Sequence, residues 1–261
     1  MPELPEVEAY RRLAERALHR PVAEVVAPDA WYLKGGLTAE VVASALAGRS
    51  FVAARRTGKV LLLDADGEGP VLGLRFGMTG RLLVDGRAGV DQLLYSSLRA
   101  EEAWDRFTVR FADGGDLRVR DPRRLGGVTL DPDEGRLGVD ALAVRPSELA
   151  AVLRDSAAPV KARLLDQARV AGIGNLLADE ALWRAGIDPA RPARSLSPAE
   201  LRRLHRHLRA TVATLIERGG SHTGDLQAER RPGGRCPRDG EPLVRRTVGG
   251  RTTWSCPRHQ R

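Results

Sequence analysis

Short apolar runs broken by turn residues fill the first half of the chain, and helical spacing takes over in the second. Residues 5–18 read as a helix, opened by proline and acidic residues and closed by basic ones. Apolar runs follow at 51–54, 59–63 and 71–74, separated by Thr57-Gly58 and by a turn region at 64–70. Residues 107–111 and 116–120 flank Asp113-Gly114-Gly115, which reads as a hairpin. Several short strands at this spacing predict a β-sandwich or barrel reaching to about residue 130.

Residues 131–145, rich in Asp, Gly and Pro, read as a linker. The clearest helix start beyond it is Ser197-Pro198-Ala199-Glu200, which has the residues of a capping box with Pro at the first helical position. Leu201, Leu204, Leu208, Val212 and Leu215 mark one apolar face, and Gly219-Gly220 ends the pattern. Arg202, Arg203, Arg206 and Arg209 lie opposite, either as a solvated face or as part of a phosphate-contact surface. From Ser221 the composition turns to Gly, Arg and Pro, and the last 30 residues are too short to bury a core unless something pins them.

Charge sharpens this division. The 261-residue chain carries a formal +8, and residues 191–261 hold 16 arginines against six acidic residues, while the remainder is close to neutral. Coding bias accounts for arginine over lysine, but not for this asymmetry. A basic C-terminal third on a near-neutral body points to a polyanion, most often nucleic acid. There is no apolar run of about 18 residues, so no membrane span is predicted. The N-terminus lacks the pattern of a signal peptide, which places the expected protein in the cytoplasm.

Four segments can carry chemistry. Pro2, once Met1 is removed, is a secondary amine; an α-amine titrates near about 7.7–8.0 and can attack a carbonyl-type carbon. Glu3 beside it can move protons. The same six residues, Met-Pro-Glu-Leu-Pro-Glu, also read as a plain acidic helix start. Cys236-Pro237-Arg238-Asp239 and Cys256-Pro257-Arg258-His259 have zinc-ribbon spacing, with Cys236, Asp239, Cys256 and His259 as ligands; alternatively Asp239 is a turn residue in a metal-free hairpin. Gly172-Ile173-Gly174-Asn175 before a helix at 176–185 is either a phosphate-binding turn or an ordinary interhelical turn. Met78 in Gly77-Met78-Thr79-Gly80, and Arg123 and Leu125 in Asp121-Pro122-Arg123-Arg124-Leu125-Gly126, can fill the gap left by an extruded base or serve as ordinary core and surface residues.

Together, the Pro-Glu-Leu-Pro-Glu-Val start, Thr57-Gly58-Lys59, the Gly77–Gly80 and Asp121–Gly126 motifs, Ala171–Asn175 with Ala178-Asp179-Glu180-Ala181-Leu182, and the terminal ribbon resemble the formamidopyrimidine-DNA glycosylase / endonuclease VIII family. The resemblance implies an α+β protein. Its expected parts are an N-terminal β-sandwich with flanking helices over 1–130, a linker over 131–145, a helix–two-turn–helix domain over 146–231 and a zinc-ribbon-like finger over 232–261. It implies a monomeric bacterial enzyme at the nucleoid, acting on damaged double-stranded DNA. The activity would be bifunctional: glycosylase and abasic-site lyase, with β- or β,δ-elimination. A silent or lyase-only damaged-DNA binder of the same fold is the alternative.

The resemblance also implies roles. Pro2 is the nucleophile at C1′ and Glu3 the acid/base. Glu6 is an acidic residue near the site, and Lys59 contacts phosphate beside the lesion. Asn175 and Arg251 form a phosphate clamp. Arg75 stands where a His is frequent, Met78, Arg123 and Leu125 fill the void, and Zn2+ sits in the ribbon. Three departures matter. Asp239 and His259 replace cysteines. The segment between Gly220 and Cys236 is short, so 8-oxoguanine is in question as a substrate and a more open pocket, admitting bulky alkylated bases, is expected. Leu125 replaces an aromatic wedge. Residues 221–225 lie where lesion contacts would arise, without an assigned role.

Overall fold

The computed structural model describes residues 2–94, 99 and 101–261. The chain divides into two compact units, one of residues 6–134 with Pro2, the other of residues 135–261 with Glu3–Pro5.

The first unit begins with α1 (Leu4–Ala14), whose first two residues group with the second unit. Val7, Tyr10 and Ala14 recur on one face and are fully buried. The regular helix stops four residues before the expected end. A 3-10 turn at Glu15–Ala17 tightens it, and the His19 amide then bonds Phe51 O at 2.8 Å, drawing the chain into strand pairing.

Two antiparallel sheets follow. One has β1 (Val22–Val26), β5 (Arg81–Val84), β6 (Arg87–Ala88), β7 (Asp105–Phe111) and β8 (Asp116–Arg120), in the order β1-β7-β8-β5-β6. The other has β2 (Phe51–Thr57), β3 (Val60–Ala65), β4 (Val71–Arg75) and β9 (Gly127–Leu130), in chain order. The helix α2 (Ala39–Leu46) is capped by Thr38, whose hydroxyl accepts from the Val41 amide. Leu61, Leu63, Leu72 and Leu74 of one sheet and Leu82, Phe107, Val109 and Leu117 of the other belong to a single buried cluster. That shared core makes the unit a sandwich, as the strand spacing predicts. Strand β2 runs beyond the apolar run at 51–54. Its polar end is held laterally, with Arg55 on Asp64 and Glu134 and Arg56 on Glu8.

The second unit is mainly helical: α3 (Pro146–Arg154), α4 (Val160–Leu165), α5 (Asn175–Ala185) and α6 (Pro198–Glu217), with short parallel strands β10 (Val139–Asp140) and β11 (Val170–Ala171). The capping box forms as expected: the Glu200 amide donates to Ser197 Oγ, and the Ser197 amide to Glu200 Oε2. Leu204, Leu208, Val212 and Leu215 are buried. Helix α5 is different. Nine of its eleven residues are buried, so it is the spine of the unit rather than an amphipathic surface helix. Strands β12 (Val244–Val248) and β13 (Arg251–Ser255) form the terminal hairpin around Gly249-Gly250. The hairpin shares a small core with α5: Trp183, Leu226, Cys236, Leu243, Trp254 and Cys256. No helix among the described residues is long and apolar enough to cross a membrane.

Candidate functional site

Strand register in the first unit gathers one set of candidate residues at one end of the four-stranded sheet. Val60 pairs with Arg75, and Arg75 with Gly127. The Lys59 turn, the end of β4 with Arg75 and Met78, and the 121–126 loop therefore emerge together. Lys59 and Met78 are half-buried, while Arg75, Arg123 and Leu125 are exposed. Leu125 leaves 49% of its surface open, which excludes a core role.

What fixes these loops is Asp121, whose carboxylate is fully buried. Oδ1 accepts from Thr79 Oγ1 at 2.5 Å and from the Arg123 amide at 3.2 Å. Oδ2 accepts from the Leu125 and Gly126 amides, both at 2.9 Å. One side chain thus joins the Gly77–Gly80 turn to the loop that displays Arg123 and Leu125. A Cβ at Gly77 would stand 2.4 Å from the Leu125 carbonyl carbon, so only glycine permits this approach. Arg124 turns back, at φ +56, to grip Asp29 with two bonds of 2.6 Å. Its neighbours on either side are left facing outward.

Glu6 on α1 is buried, as is Pro2 ahead of the helix. Glu8 takes Arg56 Nε at 3.1 Å, and Arg56 Nη1 donates to Gly58 O at 2.9 Å. This pair braces the turn that carries Lys59 against α1.

Glu3 is also buried, at 1% exposure. Its Oε1 accepts from the Leu176 amide and its Oε2 from the Leu177 amide, each at 2.9 Å. A carboxylate on the free amides of a helix N-terminus is favoured by both hydrogen bonding and the helix dipole. Gly174 makes room, since a Cβ there would lie 2.1 Å from Glu3 Cδ. The glycine turn at 172–174 therefore cradles an internal carboxylate. Gln167 holds the turn through Gly172 N and Ile173 O.

Asn175 Nδ2 donates to Thr252 O at 3.0 Å, which places Asn175 beside the strand carrying exposed Arg251. Thr252 O also receives Lys161 Nζ at 3.2 Å. Lys161 is fully buried, donates to Thr253 Oγ1 at 2.8 Å and forms an ion pair with Asp179 at 2.6 Å. Burial holds this lysine below its ordinary pKa, against the pull of Asp179. Arg230 closes the network on Asp179 Oδ2 at 2.7 Å. The sequence by itself assigns Asp121, Lys161, Asp179 and Arg230 no role. For Asp121 the Asp-Pro turn was a usable signal; the other three meet only through tertiary folding.

The four ribbon candidates converge, with one donor atom from each of Cys236, Asp239, Cys256 and His259 lying within 4.8 Å of the others. Cys236 Sγ is 3.5 Å from His259 Nδ1, Cys256 Sγ 3.4 Å from Asp239 Oδ2, and His259 Nδ1 3.2 Å from the same oxygen. A tetrahedral zinc ion with bonds of about 2.0–2.3 Å needs ligand separations of roughly 3.3–3.8 Å. His259 Nε2 lies 3.1 Å from Trp183 O, a carbonyl that requires an N–H. In the neutral ring, Nδ1 then turns a lone pair toward a carboxylate and a sulfur. A second ring proton or a central cation reconciles these acceptors, and two thiols at metal-site spacing favour the cation. Burial pushes the Cys256 thiol up to about 11, so an ion is what would draw off its proton.

Two family models match the chain: the formamidopyrimidine-DNA glycosylase N-terminal domain over residues 1–128, and the H2TH domain of the same enzymes over 137–226. The formamidopyrimidine-DNA glycosylase of Thermus thermophilus is 37% identical, over 98% of this chain and 97% of that protein. The Geobacillus kaustophilus enzyme is 34% identical over the whole of both. Among solved structures, Lactococcus lactis Fpg with a Fapy-dG-containing DNA superposes with a TM-score of 0.84 at 27% identity, covering 99% of this chain and 100% of that one. Its complex with an abasic-site DNA gives 0.83 at 26% identity, over 99% of both. The chain belongs to the formamidopyrimidine-DNA glycosylase family.

Proposed function

We propose that this protein is a DNA glycosylase with abasic-site lyase activity, acting on damaged bases in double-stranded DNA. The observation that carries the proposal is the Pro2-Glu3 pair: an N-terminal amine candidate followed by a buried carboxyl group whose two oxygens sit on the α5 amides. With Met1 removed, the Pro2 nitrogen attacks C1′ of the lesion nucleotide. The C1′–base bond breaks, and the base leaves with a proton. Glu3, fixed in place, is the group that relays protons to the opening sugar ring. The resulting iminium is an electron sink. Loss of a 2′ proton expels the 3′ phosphate, which cleaves the strand by β-elimination; loss of the 5′ phosphate follows where δ-elimination occurs.

Glu6 supports this end of α1. Lys59, Asn175 and Arg251 are the phosphate contacts; Arg75 stands near Lys59 on the same sheet end. Met78, Arg123 and Leu125 fill the duplex where the base has left it. An aliphatic wedge and a short 221–235 segment fit an oxidised, ring-opened or bulky alkylated base better than a tightly enclosed one. Asp225 in that segment is held by Arg184 and Arg218, and the amides of Asp225 and Leu226 bond Glu180. The protein acts as a monomer at the bacterial nucleoid, in the cytoplasm.

Zinc is the ion proposed for Cys236, Asp239, Cys256 and His259. Its part is structural, as it closes the ribbon that carries Arg251. The function is tested by incubating the protein with duplexes that carry a ring-opened purine, an oxidised pyrimidine, 8-oxoguanine, a bulky N7 adduct or an abasic site. Released base together with a cleaved strand on at least one lesion is expected. Strand cleavage on the abasic duplex alone would reduce the protein to a lyase, and binding without either product would make it a silent damage binder.

A further inference from the structure

We infer that Trp183 is a second layer of the ribbon's metal site: its indole N–H tunes the Cys236 thiolate and its backbone carbonyl orients His259. The inference rests on the reading of Cys236, Asp239, Cys256 and His259 as metal ligands.

Three observations carry it. Trp183 Nε1 lies 3.3 Å from Cys236 Sγ. The carbonyl of the same residue lies 3.1 Å from His259 Nε2, which leaves Nδ1 free to coordinate. Trp183 sits in the last turn of α5 and is 8% exposed, so its ring has little freedom to turn elsewhere. One residue outside both Cys-x-x motifs therefore touches one ligand from each.

The chemistry follows from the donor set. An N–H bonded to a thiolate lowers the energy of the sulfur lone pairs and offsets part of its charge. Cys236 has a second such donor, the Arg238 amide at 3.4 Å, which belongs to its own turn. The Trp183 bond comes from another element and depends on the ribbon being seated on α5. Partners of metal ligands typically alter metal affinity by about 10–100-fold when removed.

The nearby Trp254 supplies the control. It lies in the same small core at 7% exposure, and no hydrogen bond from its indole to a metal-ligand atom is present among the described residues. Trp183→Phe and Trp254→Phe each remove an indole from that core, but only the first removes an N–H···S bond.

The test uses the full-length protein loaded with Co2+ as a spectroscopic probe and titrated against a chelator, with Zn2+ in competition. Wild type should show the intense sulfur-to-cobalt charge-transfer bands of a tetrahedral dithiolate site. Trp183→Phe should bind about tenfold or more weakly, with its charge-transfer bands moved to lower energy. Trp254→Phe should keep the wild-type band position. Unchanged bands and affinity in Trp183→Phe overturn the inference, as do equal band shifts in both variants, which would mark a packing effect. If wild type binds neither Co2+ nor Zn2+, the metal reading itself fails and the inference with it.

Discussion

Asp121 and Asp179 are both fully buried carboxylates, yet they are satisfied in opposite ways. Asp121 accepts from one hydroxyl and three backbone amides, all neutral. Asp179 is paired mainly with two cations, Lys161 and Arg230, beside one amide, that of Trp254 at 3.4 Å. The first arrangement is mostly local: three of its donors lie within five residues, and the product is a loop of fixed shape. The second joins α4, α5 and the segment before the ribbon, and the shared Thr252 carbonyl extends it to Asn175 and β13. Neutral donors let a carboxylate shape a display loop; cations let one bind separate elements together. The loop of Arg123 and Leu125 rests on the first of these buried acids, and the strand carrying Arg251 on the second.

Removing a cation should do the most damage. Lys161→Met leaves Asp179 with Arg230 as its remaining cation in a dry setting, and breaking a buried pair in this way costs about 3–5 kcal/mol. Chemical denaturation should show the loss, and a variant within about 0.5 kcal/mol of wild type would deny the pair its structural role. Asp121→Asn should cost less, about 1–3 kcal/mol for the one stranded donor. The amide can keep its carbonyl on Leu125 and Gly126 and turn its NH2 toward Thr79, which then accepts. The Arg123 amide is the group left unmet, so its hydrogen exchange should rise more than that of Leu125. Equal rises at both positions would show that the loop is not held oxygen by oxygen.

The smallest effect lies in the α6 cap. Arg191, bonded to Glu200 at 2.6 Å, is the main reason that carboxyl titrates at about 2 rather than near 4.5. A lowered folded-state pKa adds stability that is complete above the unfolded value and fades as pH falls through the folded one. Glu200→Gln should therefore cost about 1 kcal/mol at neutral pH. The gap to wild type should close between pH 4.5 and pH 2. A gap that persists at the acidic end would assign the loss to packing instead of charge.

Much of this was legible in the sequence because it is written in local chemistry. The α6 cap, the glycine turn before α5 and the ribbon spacing all depend on residues near one another in the chain. The hidden parts are those where polar residues are paired across long separations. Arg55 and Arg56 mask the end of β2 because their partners, Asp64, Glu134 and Glu8, are not local. Helix α5 carries Asp179 and Glu180 in a nearly all-buried segment, a pattern that periodicity alone would assign to a surface. The phosphate reading of the 172–174 turn anticipated a negative group at these amides. The group in place is the protein's own Glu3, which no spacing within residues 168–185 could announce. The basic face of α6 is likewise divided: Arg203 donates to Ala185 O at 2.7 Å, whereas Arg202 and Arg206 are exposed.

The central claim is the N-terminal Schiff base, and borohydride trapping on an abasic-site duplex tests it most directly. Protein with a free Pro2 terminus should form a reduced covalent complex whose DNA adduct maps to the N-terminal peptide, and Pro2→Gly should lose most of it. No complex on any duplex, or an adduct that maps to a lysine while Pro2 stays unmodified, would contradict the account.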